Sequence, residues 1–128
     1  MGVGLDPKDL LQVVEQGVDM FDCVSPTRLA RHGMLYCHPE LVSGSSNHRL
    51  NITNSIFAKD FSPVDEHCSC STCQNYTRSY LHHLFVAEEL TALRLASIHN
   101  LHFMIDLMKQ ARQAILEDRF DKFKKGWK

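Results

Sequence analysis

The chain has 128 residues, enough for one domain of ordinary size, and its 44% hydrophobic and 23% charged content is that of a folded protein, which excludes a disordered or fibrous chain. With 14 Lys and Arg against 15 Asp and Glu the formal net charge is -1, so affinity for a nucleic acid has to come from a local patch and not from overall charge. The opening "MGVGLDPKDL" lacks the pattern of a signal peptide, and no apolar run reaches the roughly 20 residues of a membrane span, so a soluble, cytoplasmic protein with no membrane partner is expected.

In chain order, "DPKDLLQVVEQG" predicts a helix of about three turns. Asp6 and Pro7 supply the start signal, Leu10, Leu11, Val13 and Val14 the helical spacing, and Gly17 the stop. "VDMFDCV", residues 18–24, is rich in strand formers and bounded by Pro26. A helix feeding directly into such a run predicts one βα repeat of a parallel sheet. On that strand Val18, Met20, Asp22 and Val24 share one face, and Asp19, Phe21 and Cys23 the other. Both faces of a parallel sheet are covered, so the Asp22 carboxylate has to find a partner or face a site.

Between residues 25 and 66 clusters of Gly, Pro, Ser and Asn separate short apolar runs, and "MLY" with "LNITNSIF" predicts a small hairpin whose polar tip is "SGSSNHR". From "NYTRSYLHHL" to "ILEDRF" the composition is helical throughout, and Leu101, Ile105, Met108, Arg112 and Ile115 form one stripe expected to pack on something. The end, "FDKFKKGWK", reads as a solvated basic helix end with an aromatic anchor.

"DEHCSCSTCQNY" places three of the five cysteines, Cys68, Cys70 and Cys73, within six positions. In a reducing compartment, clustered thiols point to metal ligation or reactivity and not to disulfides, and the N-x-T sequons at Asn51 and Asn75 are read as chance. The C-x-C-x2-C spacing lets three thiolates converge on one tetrahedral ion; a redox role is less well supported, because no C-x-x-C opens a helix here. A closed zinc site needs a fourth ligand, for which His67, His82, His83, His99 and His102 are candidates. His82 and His83 point about 100° apart, so one of them at most could ligate, whereas His99 and His102 lie one turn apart on a shared face. Spacing alone does not choose among the five.

Several separated stretches, "MGVG", "GVDMFDCVSPTRLARHG", "LNITN", "DFSPVD", "CSCSTCQNYTRSYLHHL", "IHNLHF" and "MKQARQAILEDRF", together resemble the carboxyl-terminal third of the tRNA-guanine transglycosylase (queuine tRNA-ribosyltransferase) family. The resemblance runs from Met1 to about Phe123. It implies an α/β chain forming the carboxyl-terminal part of a TIM (β/α)8 barrel, its last two strands and helices, with an inserted zinc-binding subdomain. Residues 1–33 would hold the end of strand 7, helix 7, strand 8 and an RNA-recognition loop; residues 34–66 the inserted hairpin; and residues 67–128 the zinc site and the final helices.

By that resemblance Asp22 is the nucleophile that attacks the ribose C1′ at the wobble position of the tRNA anticodon, releasing guanine in favour of a 7-deazaguanine-type base, preQ1 or queuine. Its place near the carboxyl end of a barrel strand is where active sites of this fold lie. RNA contacts are implied for Gly2, Val3, Gly4 and Asp9, and for Thr27, Arg28, Leu29, Ala30 and Arg31, where guanidinium groups can clamp phosphates or splayed-out bases. The same matching selects Cys68, Cys70, Cys73 and His99 as ligands of one structural Zn2+ per chain, leaves His82, His83 and His102 to packing or surface roles, and implies a homodimer when the protein is full length.

Ser25, His32 and Thr53 depart from the pattern that the resemblance implies, as do a longer "YCHPELVSGSSNHR" and one extra residue between Gly4 and Asp9. The family's general acid/base aspartate, its purine-binding residues and six of the barrel strands have no counterpart here, so the chain is expected to be a fragment, inactive alone. The alternative is a non-catalytic zinc module binding RNA or a partner, against which Asp22 within an intact "MFDCV-PTR" argues.

Overall fold

The computed structural model describes residues 6–38, 40 and 48–127. The expected end of a seventh strand at "MGVG", with Gly2, Val3 and Gly4, and most of the polar hairpin tip lie outside the described residues.

Helix α1 spans Pro7–Glu15 with Pro at its start, where the missing N–H costs nothing. It buries Leu10 and Leu11 and ends before Gly17, whose φ of +90° suits a residue without a Cβ. The following segment departs from expectation. Residues 18–23 form no strand, and Val18, Met20 and Val24 are exposed, Met20 at 85%. A parallel strand is held only by neighbouring strands, and the one sheet among the described residues is a two-stranded antiparallel pair elsewhere. The expected recognition loop is also largely helical: α2 spans Ser25–Arg31, because Pro26 at its first turn presets φ and Gly33 at φ +74° closes it. A Cβ on Gly33 would lie 2.9 Å from the Thr53 methyl.

The hairpin forms as expected. Strands β1 (Met34–Tyr36) and β2 (Arg49–Asn51) pair antiparallel, with Leu35 opposite Leu50. Their alternation separates two apolar clusters: Leu35, Leu50 and Ile52 pack with Ala30, Leu81, Leu95 and Ala96, while Tyr36 packs with Leu10, Phe103, Leu107 and Trp127. The run "LNITNSIF" ends its strand early and becomes a 3-10 turn, Ser55–Lys59, capped by Asn54.

The rest is helical with three breaks that composition did not reveal. Helices α3 (Ser71–Asn75), α4 (Arg78–Val86), α5 (Leu90–Leu116) and α6 (Phe120–Lys125) follow, with Glu88 and Asp118 at positive φ between α4 and α5 and between α5 and α6. Helix α5, 27 residues and about 40 Å long, is the spine of the fold. Its buried face runs through Ala92, Leu95, Ala96, His99, Asn100, Phe103, Leu107, Ala111 and Ala114, and its small residues let α2 and α3 approach closely. The stripe expected to pack is the neighbouring one: Leu101, Ile105 and Ile115 are exposed at 44%, 56% and 51%. With Met20, Phe21 and Val14 they line an open apolar groove between α1, the 18–24 segment and α5. The basic tail is anchored as expected, with Trp127 buried against His38, Phe103 and Phe123, and Lys124 2.5 Å from Glu15 of α1. No helix among the described residues is long and apolar enough to cross a membrane.

Candidate metal centre

Cys68, Cys70, Cys73 and His99 converge as the sequence expectation places them. All four are buried, and one ligand atom from each lies within 4.8 Å of the others. The convergence has local causes. Cys68 and Cys70 flank a bend entering α3, and Cys70 caps that helix, its sulfur accepting the Cys73 N–H at 3.3 Å, which turns Cys73 back toward it. Thr72 Oγ1 donates to the Leu95 carbonyl at 2.8 Å and clamps α3 on α5, the helix that presents His99.

His99 Nδ1 lies 3.8, 3.5 and 3.3 Å from the sulfurs of Cys68, Cys70 and Cys73. An ion at metal–sulfur distances of about 2.3 Å and metal–nitrogen distances of about 2.0 Å holds tetrahedral neighbours roughly 3.5–3.8 Å apart, and the His99–sulfur distances lie close to that range, so the cluster can close on one tetrahedral ion. The other ring nitrogen, Nε2, lies 2.8 Å from the Tyr36 carbonyl. It carries a proton and donates, so Nδ1 is the nitrogen that faces the sulfurs and offers its lone pair to a metal once deprotonated.

Without a metal the thiols and the imidazole share protons. Hydrogen bonds from Cys68 and Cys73 push the Cys70 thiol far below its ordinary range, and hydrogen bonds with Cys68 and Cys70 push Cys73 far above it, as when three adjacent thiols yield one thiolate readily and resist a second. Burial opposes charge on His99, but hydrogen bonds with Cys68 and Cys70 outweigh it and raise the imidazole to about 10. The metal-free pocket thus pairs a thiolate with a protonated imidazole, and a dication that binds there displaces the remaining protons. Cys37 behaves oppositely: fully buried in the core, its thiol is pushed up to about 12, first by burial, and is inert.

Three supports were not anticipated from sequence. Asn100, fully buried, accepts the Tyr36 N–H at 3.0 Å and donates to the Pro26 and Met34 carbonyls, both at 3.0 Å. Asp65, also fully buried, accepts the backbone N–H groups of His38 and His67 at 2.8 Å and sits 2.7 Å from His38 Nδ1, fixing the loop into Cys68. Burial would raise its carboxyl, but the hydrogen bonds from His38 and His67 hold it below the usual range. Arg78 closes the same loop through Asp60 and the Val64 carbonyl, each at 3.0 Å. The adjacent His-Asn of "IHNLHF" was the signal available for Asn100.

The other histidines divide. His82 Nδ1 bonds the Ile52 carbonyl at 2.8 Å, His67 and His83 are exposed, and His102 Nδ1 lies 3.6 Å from Cys68 Sγ.

Asp22 is exposed on the rim of the apolar groove, beside Phe21, Cys23 and Pro26. Of the expected RNA-contacting residues, Arg28 and Arg31 point outward from α2, Thr27 is half-buried and bonds the Val24 carbonyl at 3.1 Å, and Asp9 lies half-buried in the first turn of α1. Ala30 is fully buried and Leu29 packs on the core, so neither presents a side chain to a ligand.

The geometry defines a helical module built on a buried Cys3His group able to hold one metal ion, with the Asp22, Arg28 and Arg31 side chains exposed. The sequence model of the family described as Queuine tRNA-ribosyltransferase matches residues 1–128. Queuine tRNA-ribosyltransferases of Herpetosiphon aurantiacus, Helicobacter acinonychis and Thermoanaerobacter sp. are 54%, 52% and 51% identical to it over 127, 125 and 125 residues, covering 98–99% of this chain. The chain belongs to the queuine tRNA-ribosyltransferase family. It spans about 30% of the length of these relatives.

Proposed function

We propose that the chain is the nucleophile-bearing and zinc-bearing portion of a tRNA-guanine transglycosylase, which exchanges guanine at the anticodon wobble position for preQ1 or queuine. The observation that carries this reading is about 50% identity across the whole chain to proteins named queuine tRNA-ribosyltransferase, with Asp22, Arg28 and Arg31 all exposed.

In the proposed reaction a carboxylate oxygen of Asp22 attacks the ribose C1′. A C–O bond forms as the glycosidic bond to guanine breaks, and guanine leaves with a proton supplied by an acid outside this chain. The incoming 7-deazaguanine-type base then gives its ring N–H proton to that same outside group, now a base, attacks C1′ from the side opposite the carboxylate and displaces it, so two inversions give net retention. Arg28 and Arg31 hold phosphates of the anticodon loop, keeping the target nucleotide outside the stack within reach of Asp22.

Zinc is the ion we assign to Cys68, Cys70, Cys73 and His99, because three thiolates and an imidazole in a closed tetrahedron suit it best. When bound it supplies a cross-link between the 68–73 loop and α5, not an activated water. Residues 18–24 become a paired strand, and the exposed face of α5 becomes buried, when the remaining portion of the family fold covers the apolar groove. The assembled enzyme is a cytoplasmic homodimer.

The test supplies the complementary portion of a family member and measures labelled guanine exchange into tRNA. The chain alone is expected to show none, the combination to show exchange, and Asp22→Asn to abolish it. Exchange that survives Asp22→Asn in the combination contradicts the assignment and favours a non-catalytic role for this surface.

A further inference from the structure

We propose that His102 is a positioning residue of the metal centre, whose Nδ1–H donates a hydrogen bond to the Cys68 thiolate and holds that sulfur on the ion. This rests on the zinc reading above and extends it to a residue outside the four ligands.

The geometry separates His102 from the ligand set. His99 Nδ1 approaches all three sulfurs, whereas His102 Nδ1 approaches Cys68 alone, at 3.6 Å. It stands outside the group whose atoms lie within 4.8 Å of one another. The same helix fixes both rings: residues 99 and 102 are one turn apart on α5, so the backbone that orients the ligand also sets the second imidazole over the pocket edge.

Charge explains what it does there. Three thiolates and one dication leave a net negative charge in a buried pocket, which is unfavourable unless the sulfurs accept N–H donors. Cys70 has such a donor in the Cys73 N–H, at 3.3 Å. For Cys68, among the described residues, the donor outside the ligand set is His102. The ring is half-buried and the sulfur it faces is buried.

Outer donors of this kind change metal affinity by about 10–100-fold. Chelator competition on the full chain is expected to show His102→Ala binding zinc about tenfold more weakly than wild type, with one ion still held per chain. His102→Asn, whose amide nitrogen can occupy the Nδ1 position, is expected to restore most of the affinity. In the cobalt-loaded chain, His102→Ala is expected to shift the sulfur-to-cobalt charge-transfer band to lower energy without changing the tetrahedral ligand-field bands. Wild-type affinity and an unshifted band in His102→Ala would overturn the inference, and so would changed ligand-field bands, which would make His102 a ligand. A wild-type chain that takes up neither ion would overturn this inference together with the zinc reading.

Discussion

His99 donates its Nε2–H to the Tyr36 carbonyl at 2.8 Å, and the residue beside it, Asn100, accepts the Tyr36 N–H at 3.0 Å. Two consecutive residues of α5 therefore grip both sides of one residue of β1, and one of them turns its free nitrogen to the thiols. The hairpin and the metal pocket are a single construction. Chelation of the wild-type chain is expected to lower its Tm, each kcal/mol lost moving it by about 4–8 °C for a domain of this size. His99→Ala should melt near the chelated wild type and show no further response to chelator, measured by thermal unfolding with and without zinc.

Asn100 satisfies three backbone groups that no other described side chain reaches: the Tyr36 N–H and the carbonyls of Pro26 and Met34. Asn100→Leu keeps the volume but removes all three bonds and leaves the Tyr36 N–H buried without its partner. Chemical denaturation should show a loss of about 3 kcal/mol or more, larger than an ordinary surface substitution. A loss under about 1 kcal/mol would mean the loop relaxes to water.

Asp65 sets an acid limit. Its carboxyl is held below the ordinary value by hydrogen bonds from His38 and His67 that outweigh burial, so the folded state binds the proton less readily than the unfolded chain does. Its stabilising contribution is complete above the unfolded carboxylate pKa of about 3.9 and is lost as pH falls through the lower folded value. Asp65→Asn should destabilise the chain by about 1–3 kcal/mol at neutral pH. It should also flatten the acid limb of stability against pH, followed by denaturant titration between neutral pH and the acid range.

The exposed apolar groove predicts different outcomes for the chain alone and for the assembled protein. Ile105, 56% exposed, contributes little to the stability of the isolated chain, so Ile105→Lys should leave its Tm within about 2 °C and reduce its self-association. The same substitution should block productive combination with the complementary portion, measured by co-elution. A variant that still co-elutes at wild-type yield would show that the groove is not the joining surface.

Sequence pattern revealed those parts of the molecule that are local. The Pro7 start and Gly17 stop of α1 and the C-x-C-x2-C bend each depend on neighbours a few residues away. Residues 18–24 misled because strand propensity describes a surface to be paired, and the described chain offers no strand beside them. The α5 stripe misled for a related reason. Helical periodicity shows that a face is apolar but not which of two adjacent apolar faces is covered, and the choice fell to the Ala-rich face that α2 and α3 approach. Spacing left five histidines open as the fourth ligand, and the family resemblance singled out His99. The fold brings it to the thiols through the Tyr36 carbonyl, a backbone group that no side-chain pattern reports. Asp65 was likewise invisible, since its partners are mostly backbone N–H groups.

The central claim is that Asp22 forms a covalent bond to the ribose of tRNA. The most direct measurement incubates the chain, combined with its complementary portion, with tRNA in the absence of an incoming base, denatures the mixture, and locates any RNA–protein adduct by peptide mass. The account predicts an adduct on the peptide containing Asp22, absent from Asp22→Asn and discharged when preQ1 or queuine is added. An adduct on another residue, or guanine exchange without any adduct on Asp22, would contradict it.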